Sequence, residues 1–136
     1  MRYREAWIGD IGKSVVRSVI RLPEMTDADI DLFSVPWDKG ARSEAWVVLA
    51  MDGRKVVGWS AADRSNEIGM GFGKCDGVAG IYVHVHPQYR GKGIGRSLGE
   101  RALNAARDRG WEVAAFPFDE TGVAFFESLG VPICAA

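Results

Sequence analysis

QYRGKGIGR, residues 88–96, places glycine at every second position from Gly91 to Gly95 and sets Arg90, Lys92 and Arg96 among them. Upstream, VAGIYVHVH (78–86) is a nearly continuous apolar run closed by Pro87. Downstream, Ile94, Leu98, Ala102 and Ala105 recur at helical spacing, with Glu100, Arg101, Arg107 and Asp108 on the opposite side. The pattern predicts a buried strand, a glycine turn and an amphipathic helix. Glycine admits positive φ and lets backbone approach a ligand closely, while a helix start offers free N–H groups at the positive end of its dipole. Such a turn suits phosphate. Each flanking cation adds on the order of 1.5 to 3 kcal/mol where it forms a good charge-assisted hydrogen bond.

Outward from this unit, RYREAWI alternates weakly as a first strand, and Asp10 is placed to cap a helix carrying Val15, Val16, Val19, Ile20 and Leu22, ended by Pro23. Thr26 or Asp27 caps a second short helix through Ile30, Leu32 and Phe33, which Pro36 closes, and VPWDKGARSE (35–44) reads as a polar loop. WVVLAM (46–51) and KVVGWSAA (55–62) flank Asp52, Gly53 and Arg54 as a hairpin. NEIGMGFGKCDG (66–77) is a bent strand or a loop. Gly110 stops the long helix, EVAAFPF (112–118) is a further strand, and Asp119 caps a last helix with Val123, Phe126 and Leu129 as its core stripe. The order β, α, α, β, β, β, α, β, α predicts a mixed α/β layer fold.

The chain has 136 residues, 47% of them hydrophobic and 26% charged, enough for a single domain over 1–136 with its own core. A formal charge of −1 argues against a general nucleic-acid binder, since phosphate tracking needs a net basic face. The opening MRYREAWIGD lacks the apolar core of a signal peptide, and no apolar run approaches the roughly 18 residues of a membrane span. Cys75 and Cys134 read as isolated thiols, with neither a zinc site nor a disulfide framework indicated. A cytoplasmic protein that binds no membrane and no metal is the expectation.

Three phosphate motifs compete for the glycine turn, and spacing separates them. A dinucleotide fingerprint G-x-G-x-x-G needs glycine where Arg96 or Leu98 stands, and a P-loop ending in Gly12, Lys13 and Ser14 needs glycine where Trp7 stands. R-x-x-G-x-G fits, through Arg90, Gly93 and Gly95. With its full context, VHVHPQYRGKGIGRSLGERAL (83–103), it resembles the coenzyme A pyrophosphate loop of the GNAT superfamily of acyl-CoA-dependent N-acetyltransferases. FFESLGV (125–131) resembles that family's final helix, usually close to FYEKLGF, and REAWIGD resembles its opening strand and turn.

The resemblance implies a central mixed, mostly antiparallel sheet flanked by about four helices, with a shortened C-terminal end, because only VPICAA follows Gly130. It implies that the backbone of Val83, His84 and Val85 pairs with the pantetheine arm, where the strand splays from its neighbour at a bulge. Backbone of Gly91, Lys92, Gly93, Ile94, Gly95 and Arg96 would hold the pyrophosphate, with charge from the side chains of Arg90, Lys92 and Arg96. Where the family commonly has a tyrosine as proton donor, this chain has Phe126, which is left as a wall of the coenzyme site. An ordinary thiol pKa of about 8.5 makes the thiolate a tolerable leaving group, while general-acid help is typically worth about 10² to 10⁴ in rate. Asp119 aligns with an asparagine that in many relatives contacts the pantetheine or a water, and it also suits a helix N-cap.

An amine acceptor with pKa about 10.4 sheds its proton at a cost of roughly 4.6 kcal/mol at pH 7, so a base is wanted. His84 and Asp119 are the catalytic candidates, with His86 a neighbour on the same strand face and Asp63, Glu67 and Asp76 weaker choices. Strand histidines also serve as half-buried structural residues. Trp46 and Trp59 are expected in the core, and Trp37, Asp38 and Glu44 in a loop that borders the acceptor site in the resembling family. The leading expectation is an acetyl-CoA-dependent transferase acting on a primary amine by direct attack. The alternatives are a non-catalytic acyl-CoA-binding or protein-interaction module and another nucleotide-binding α/β domain. Small amines, antibiotics, peptide N-termini and protein lysines all remain open as acceptors, and an uncovered sheet edge at the short C-terminus favours a homodimer.

Overall fold

One five-stranded sheet carries the structure, with strands β1 (Arg2–Trp7), β2 (Ala45–Asp52), β3 (Lys55–Asp63), β4 (Ala79–Val85) and β5 (Val113–Ala115) in sequential spatial order. The computed structural model describes residues 1–38, 44–64, 78–117 and 119–134. Pairing is antiparallel from β1 to β4 and parallel between β4 and β5. Helices α1 (Lys13–Ile20) and α2 (Asp27–Asp38) cover one face, and α3 (Ile94–Asp108) and α4 (Glu120–Ser128) the other. The element order is the one that the hydrophobic periodicities predict. The expected mixed, mostly antiparallel sheet is present.

The strands alternate their side chains between two cores. On the α1–α2 side, Ile8, Val19, Phe33, Trp59 and Tyr82 are buried together. On the α3–α4 side, Ile81, Ala102, Leu103 and Phe126 form one cluster, and Val85, Ile94 and Leu98 join β2 and β3 in another. Thus β4 turns Ile81, Val83 and Val85 toward α3 and α4, and Tyr82 and His84 toward α1 and α2.

Local expectations hold with specific exceptions. Gly12, with φ 87°, is the N-cap of α1, and Asp10 instead ends a short 3-10 turn over Ile8–Asp10. Thr26 caps α2 reciprocally: its Oγ1 accepts from Asp29 N at 3.1 Å, and an Asp29 carboxylate oxygen accepts from Thr26 N at 3.2 Å. Helix α2 runs past Pro36 to Asp38, because a proline in the last turn forgoes a single backbone bond. Strand β5 is only three residues long, shorter than the run 112–118 suggests. Trp59 is fully buried, whereas Trp46 is half-buried and packs edge-on against Trp7 with the Arg109 guanidinium 4.2 Å from its ring centroid. Segments 39–43 and 65–77, with Glu67, Cys75 and Asp76, lie outside the described residues.

The C-terminal end departs further. Ala115 N donates to Pro132 O and Cys134 N donates to Ala115 O, both at 2.8 Å, so the tail covers the edge of β5 that the short ending was expected to leave open. Cys134 is disulfide-bonded rather than a free thiol, which withdraws the support that isolated thiols lend to a reducing compartment. No helix among the described residues is long and apolar enough to cross a membrane.

Glycines set how closely the layers approach. A β-carbon at Gly58 would lie 2.9 Å from the backbone oxygen of His84 and 3.1 Å from Leu98 Cδ1. One at Gly95 would meet nothing nearer than 3.6 Å. Gly58→Ala should therefore cost about 1–3 kcal/mol in denaturant unfolding through overpacking. Gly95→Ala, in the first turn of α3, should be neutral or gain up to about 1 kcal/mol from helix propensity.

Candidate functional site

Strand β4 is paired on both sides only over its first half. Its ladder with β5 covers Ala79–Ile81 opposite Val113–Ala115, after which Phe116 and Pro117 leave the sheet. On the other side, pairing with β3 continues without a register shift to Gly58 opposite Val85. The bulge expected in β4 is absent there; the register shift lies where β2 pairs with β3, with Ala50 opposite Gly58 and Met51 opposite Val56, so the extra residue is Val57 of β3. What parts the strands is the shortness of β5.

The ladder also fixes which backbone groups face the gap. His86 N donates to Val57 O at 2.8 Å, so the groups of His84, two residues back, point to β3 as well. Those of Val83 and Val85 point into the gap. Of the three residues expected to pair with the pantetheine arm, Val83 and Val85 turn their backbone groups away from β3, while His84 turns its own toward β3 and lines the gap with its side chain.

The gap widens into a cavity of about 490 Å³ walled by Val83, His84 and Val85 of β4, by Tyr89, Arg90, Gly91 and Gly95 of the turn and α3, and by Asp119, Thr121, Gly122, Phe125 and Phe126 of α4. Gly91 and Gly93 have φ 76° and 81°, a region that side chains resist, with open space where a β-carbon would stand. Gly93 caps α3 without a side-chain bond, so the first-turn N–H groups of this 15-residue helix have no side-chain cap, and Gly95 of that turn lines the cavity. An open glycine turn, free helix N–H groups and outward strand amides together fit an extended phosphate-bearing ligand.

The cations divide. Arg90 Nε donates to Val85 O at 3.1 Å, and its Nη2 pairs with Glu24 at 2.7 Å. Arg96 pairs with Glu100 one turn along α3 at 3.1 Å, and Lys92 Nζ lies 5.3 Å from the centre of the Tyr89 ring. Neither Lys92 nor Arg96 lines the cavity, and neither do Gly93 and Ile94, whose side chain is buried in the core. Tyr89 itself donates from its hydroxyl to Asp52 at 2.7 Å, which raises its pKa.

His84 Nε2 lies 2.8 Å from Pro23 O. A carbonyl only accepts, so Nε2 carries the proton and Nδ1 is the ring's acceptor. His86 Nδ1 instead accepts from Gln88 N at 3.1 Å, capping the turn after Pro87, which leaves it a structural role. Asp119 caps α4, accepting from Gly122 N at 2.8 Å, and lines the cavity as well. Asp63 is buried at the end of β3, and Glu44 pairs with Arg64 at 3.5 Å.

Sequence reasoning missed the loop before α2. Pro23 reaches His84, Glu24 reaches Arg90, and Met25 Sδ accepts from Trp59 Nε1 at 3.1 Å, so three consecutive residues strap the mouth of the cavity. Glu24 has φ 65°, which costs a residue with a β-carbon on the order of 1–2 kcal/mol. Tyr82 was also missed: it leans over Gly80, whose absent side chain leaves it room, and is 8% exposed with no hydrogen-bond partner for its hydroxyl. Burial, then the charges of Asp63 and Asp29, push its pKa well above the ordinary 10.0 and keep it neutral.

An unpaired buried hydroxyl costs about 1–3 kcal/mol, so Tyr82→Phe should raise stability by about 1 kcal/mol in denaturant titrations. Because the folded pKa is the higher one, wild-type stability should fall as pH rises above about 10, where unfolded tyrosine ionises first. The substitution should remove part of that alkaline loss.

Comparison with known proteins places this arrangement. The model of the acetyltransferase (GNAT) family matches residues 15–131. An uncharacterised ycf52-like N-acetyltransferase of Prochlorococcus marinus is 29% identical over 122 residues, which are 85% of this chain and 66% of that protein's length. Among solved structures, AAC(6')-Iy in complex with the bisubstrate analogue CoA-S-monomethyl-acetylneamine superposes with a TM-score of 0.66 at 15% identity, covering 100% of this chain and 95% of that one. A predicted acetyltransferase of Clostridium acetobutylicum, solved with acetyl-CoA, superposes with a TM-score of 0.58 at 18% identity, covering 95% and 88%.

Proposed function

Since the chain belongs to the acetyltransferase (GNAT) family, we propose that it is an acetyl-CoA-dependent N-acetyltransferase that acts on a primary amine by direct attack. The observation that carries this reading is the parting of β4 from β5 beside the glycine turn, which leaves the backbone groups of Val83 and Val85 facing a cavity that ends at the start of α3. Val83 and Val85 would complete a short ladder with the pantetheine amides. Gly91, Gly93 and the first turn of α3 would receive the pyrophosphate, with Arg90 at its flank. Support comes also from the neighbours solved with acetyl-CoA or a CoA conjugate.

When bound, the thioester supplies an acyl group already activated on a thiolate leaving group. An N–H of Val83 or Val85 stabilises the carbonyl oxygen as charge develops on it. Nδ1 of His84 takes the proton shed by the amine as the C–N bond forms and the C–S bond breaks, the sulfur leaving with the electron pair. Pro23 O holds the opposite ring N–H, fixing the tautomer and stabilising the imidazolium. Asp119 holds the start of α4 against this point. Phe126, buried at the cavity wall, donates no proton, so thiolate departure relies on the thiol's own acidity.

Phe126 also motivates the second reading, a non-catalytic acyl-CoA-binding module. Free-thiol release from acetyl-CoA in the presence of mixed primary amines separates the two. Amine-dependent release is expected, falling about 100-fold in kcat in His84→Gln with acetyl-CoA affinity little changed. Binding without release would favour the non-catalytic module, and absence of binding would remove both.

A further inference from the structure

Among the described residues, Glu24 is the one with a β-carbon that stands at positive φ. At 65° it lies in the left-handed region, which glycine enters readily and glutamate does not. Its ion pair with Arg90 does little to offset that cost, because both side chains are about half exposed and such pairs are weak. Backbone strain of this kind collects at ligand clamps and switches, where the surroundings hold a residue in a conformation it would otherwise leave. Here the two neighbours do the holding. Pro23 O lies 2.8 Å from His84 Nε2, and Met25 Sδ lies 3.1 Å from Trp59 Nε1. With the backbone fixed on either side, the Glu24 carboxylate is carried to Arg90 however little the pair itself returns.

Arg90 is the cation of the glycine turn that lines the coenzyme cavity, and its guanidinium is engaged twice. Nε donates to Val85 O at 3.1 Å, and Nη2 meets Glu24 at 2.7 Å, the short end of the charge-assisted range. In the free protein a carboxylate therefore sits on the guanidinium that an incoming anion would seek. The planar fork of arginine suits carboxylate and phosphate alike, so the two compete for the same N–H groups. A diphosphate brings two negative charges against the single charge of Glu24, which gives it the advantage.

Resting on the acetyltransferase reading, we infer that Glu24 is a built-in competitor of the coenzyme diphosphate. It holds Arg90 in the free protein, yields it when coenzyme A enters, and takes it back as coenzyme A leaves. Glu24 is thus a positioning residue, acting through Arg90 and touching no reacting atom. Its effect is to lower affinity for coenzyme A and to speed departure of the product. A weak pair suits this exchange, since a strong one would shut the cofactor out. While coenzyme A is bound, Pro23 and Met25 alone hold the strap, and the imidazole of His84 keeps its carbonyl partner.

The test is calorimetric titration of wild type, Glu24→Gln and Glu24→Gly with coenzyme A and with S-acetylpantetheine, which has the arm but no diphosphate. Glutamine keeps the size of the side chain and removes its charge; glycine removes the strain as well, so a fault in folding cannot imitate the result in both. Both variants should bind coenzyme A about two- to fivefold more tightly, the range that a half-exposed ion pair allows, through slower dissociation. Both should bind S-acetylpantetheine as wild type does. A crystal structure with coenzyme A should show Arg90 Nη2 on a diphosphate oxygen and Glu24 out of hydrogen-bond reach. Unchanged coenzyme A affinity, equal gains for the two ligands, or an intact Arg90–Glu24 pair in the complex would overturn the competitor and leave the transferase standing. If wild type binds no coenzyme A, the acetyltransferase reading itself fails, and the role of Glu24 falls with it.

Discussion

Everything in this fold that bears on function depends on where β5 stops. Three residues of parallel pairing hold β4, and then Pro117, which has no N–H to give a ladder, follows Phe116 out of the sheet. Val83 and Val85 are left with backbone groups directed away from β3 into a gap, where Arg90 satisfies Val85 O and the others fall to water or a ligand. The same departure brings Asp119 to the start of α4 and sets Phe126 against the gap. Strand, turn and helix then converge on one cavity, because α3 begins only eight residues after β4 ends.

The opposite rim is closed by the loop between α1 and α2, and its energetics are mixed. Glu24 and Arg90 are both about half exposed, so their ion pair is worth at most ~1 kcal/mol, comparable to the backbone strain at Glu24. The more decisive contacts are Pro23 with His84 and Met25 with Trp59, because Trp59 is fully buried against Phe33 and anchors the loop to the core. Packing thus positions the loop, and the loop in turn orients the imidazole. Unpaired Tyr82 is the converse case, a place where stability is given up next to a cavity.

Much of this was legible in the sequence, for identifiable reasons. Element order follows from pattern and punctuation: the weak alternation of β1, the β-branched and aromatic runs of β2 and β3, the nearly continuous apolar run of β4, the stripe of Ile94, Leu98 and Ala102, and the stop at Gly110. The glycine turn was legible because its spacing excludes the competing phosphate motifs. Its cations were not, since a helix turns Arg96 toward Glu100 and only Arg90 toward the cavity. Nor was the loop at Pro23 to Met25, whose contacts lie 34 to 66 positions away in sequence and carry no local pattern. The pairing of Pro132–Cys134 with Ala115 escaped because a single bridge has no hydrophobic period.

The most direct measurement is residue-resolved amide hydrogen exchange with and without coenzyme A. If the parted strand receives the pantetheine arm, the amides of Val83 and Val85 should slow markedly on binding, together with the first turn of α3, while His84, already bonded to β3, should change little. Binding that leaves Val83 and Val85 exchanging as before would contradict the account.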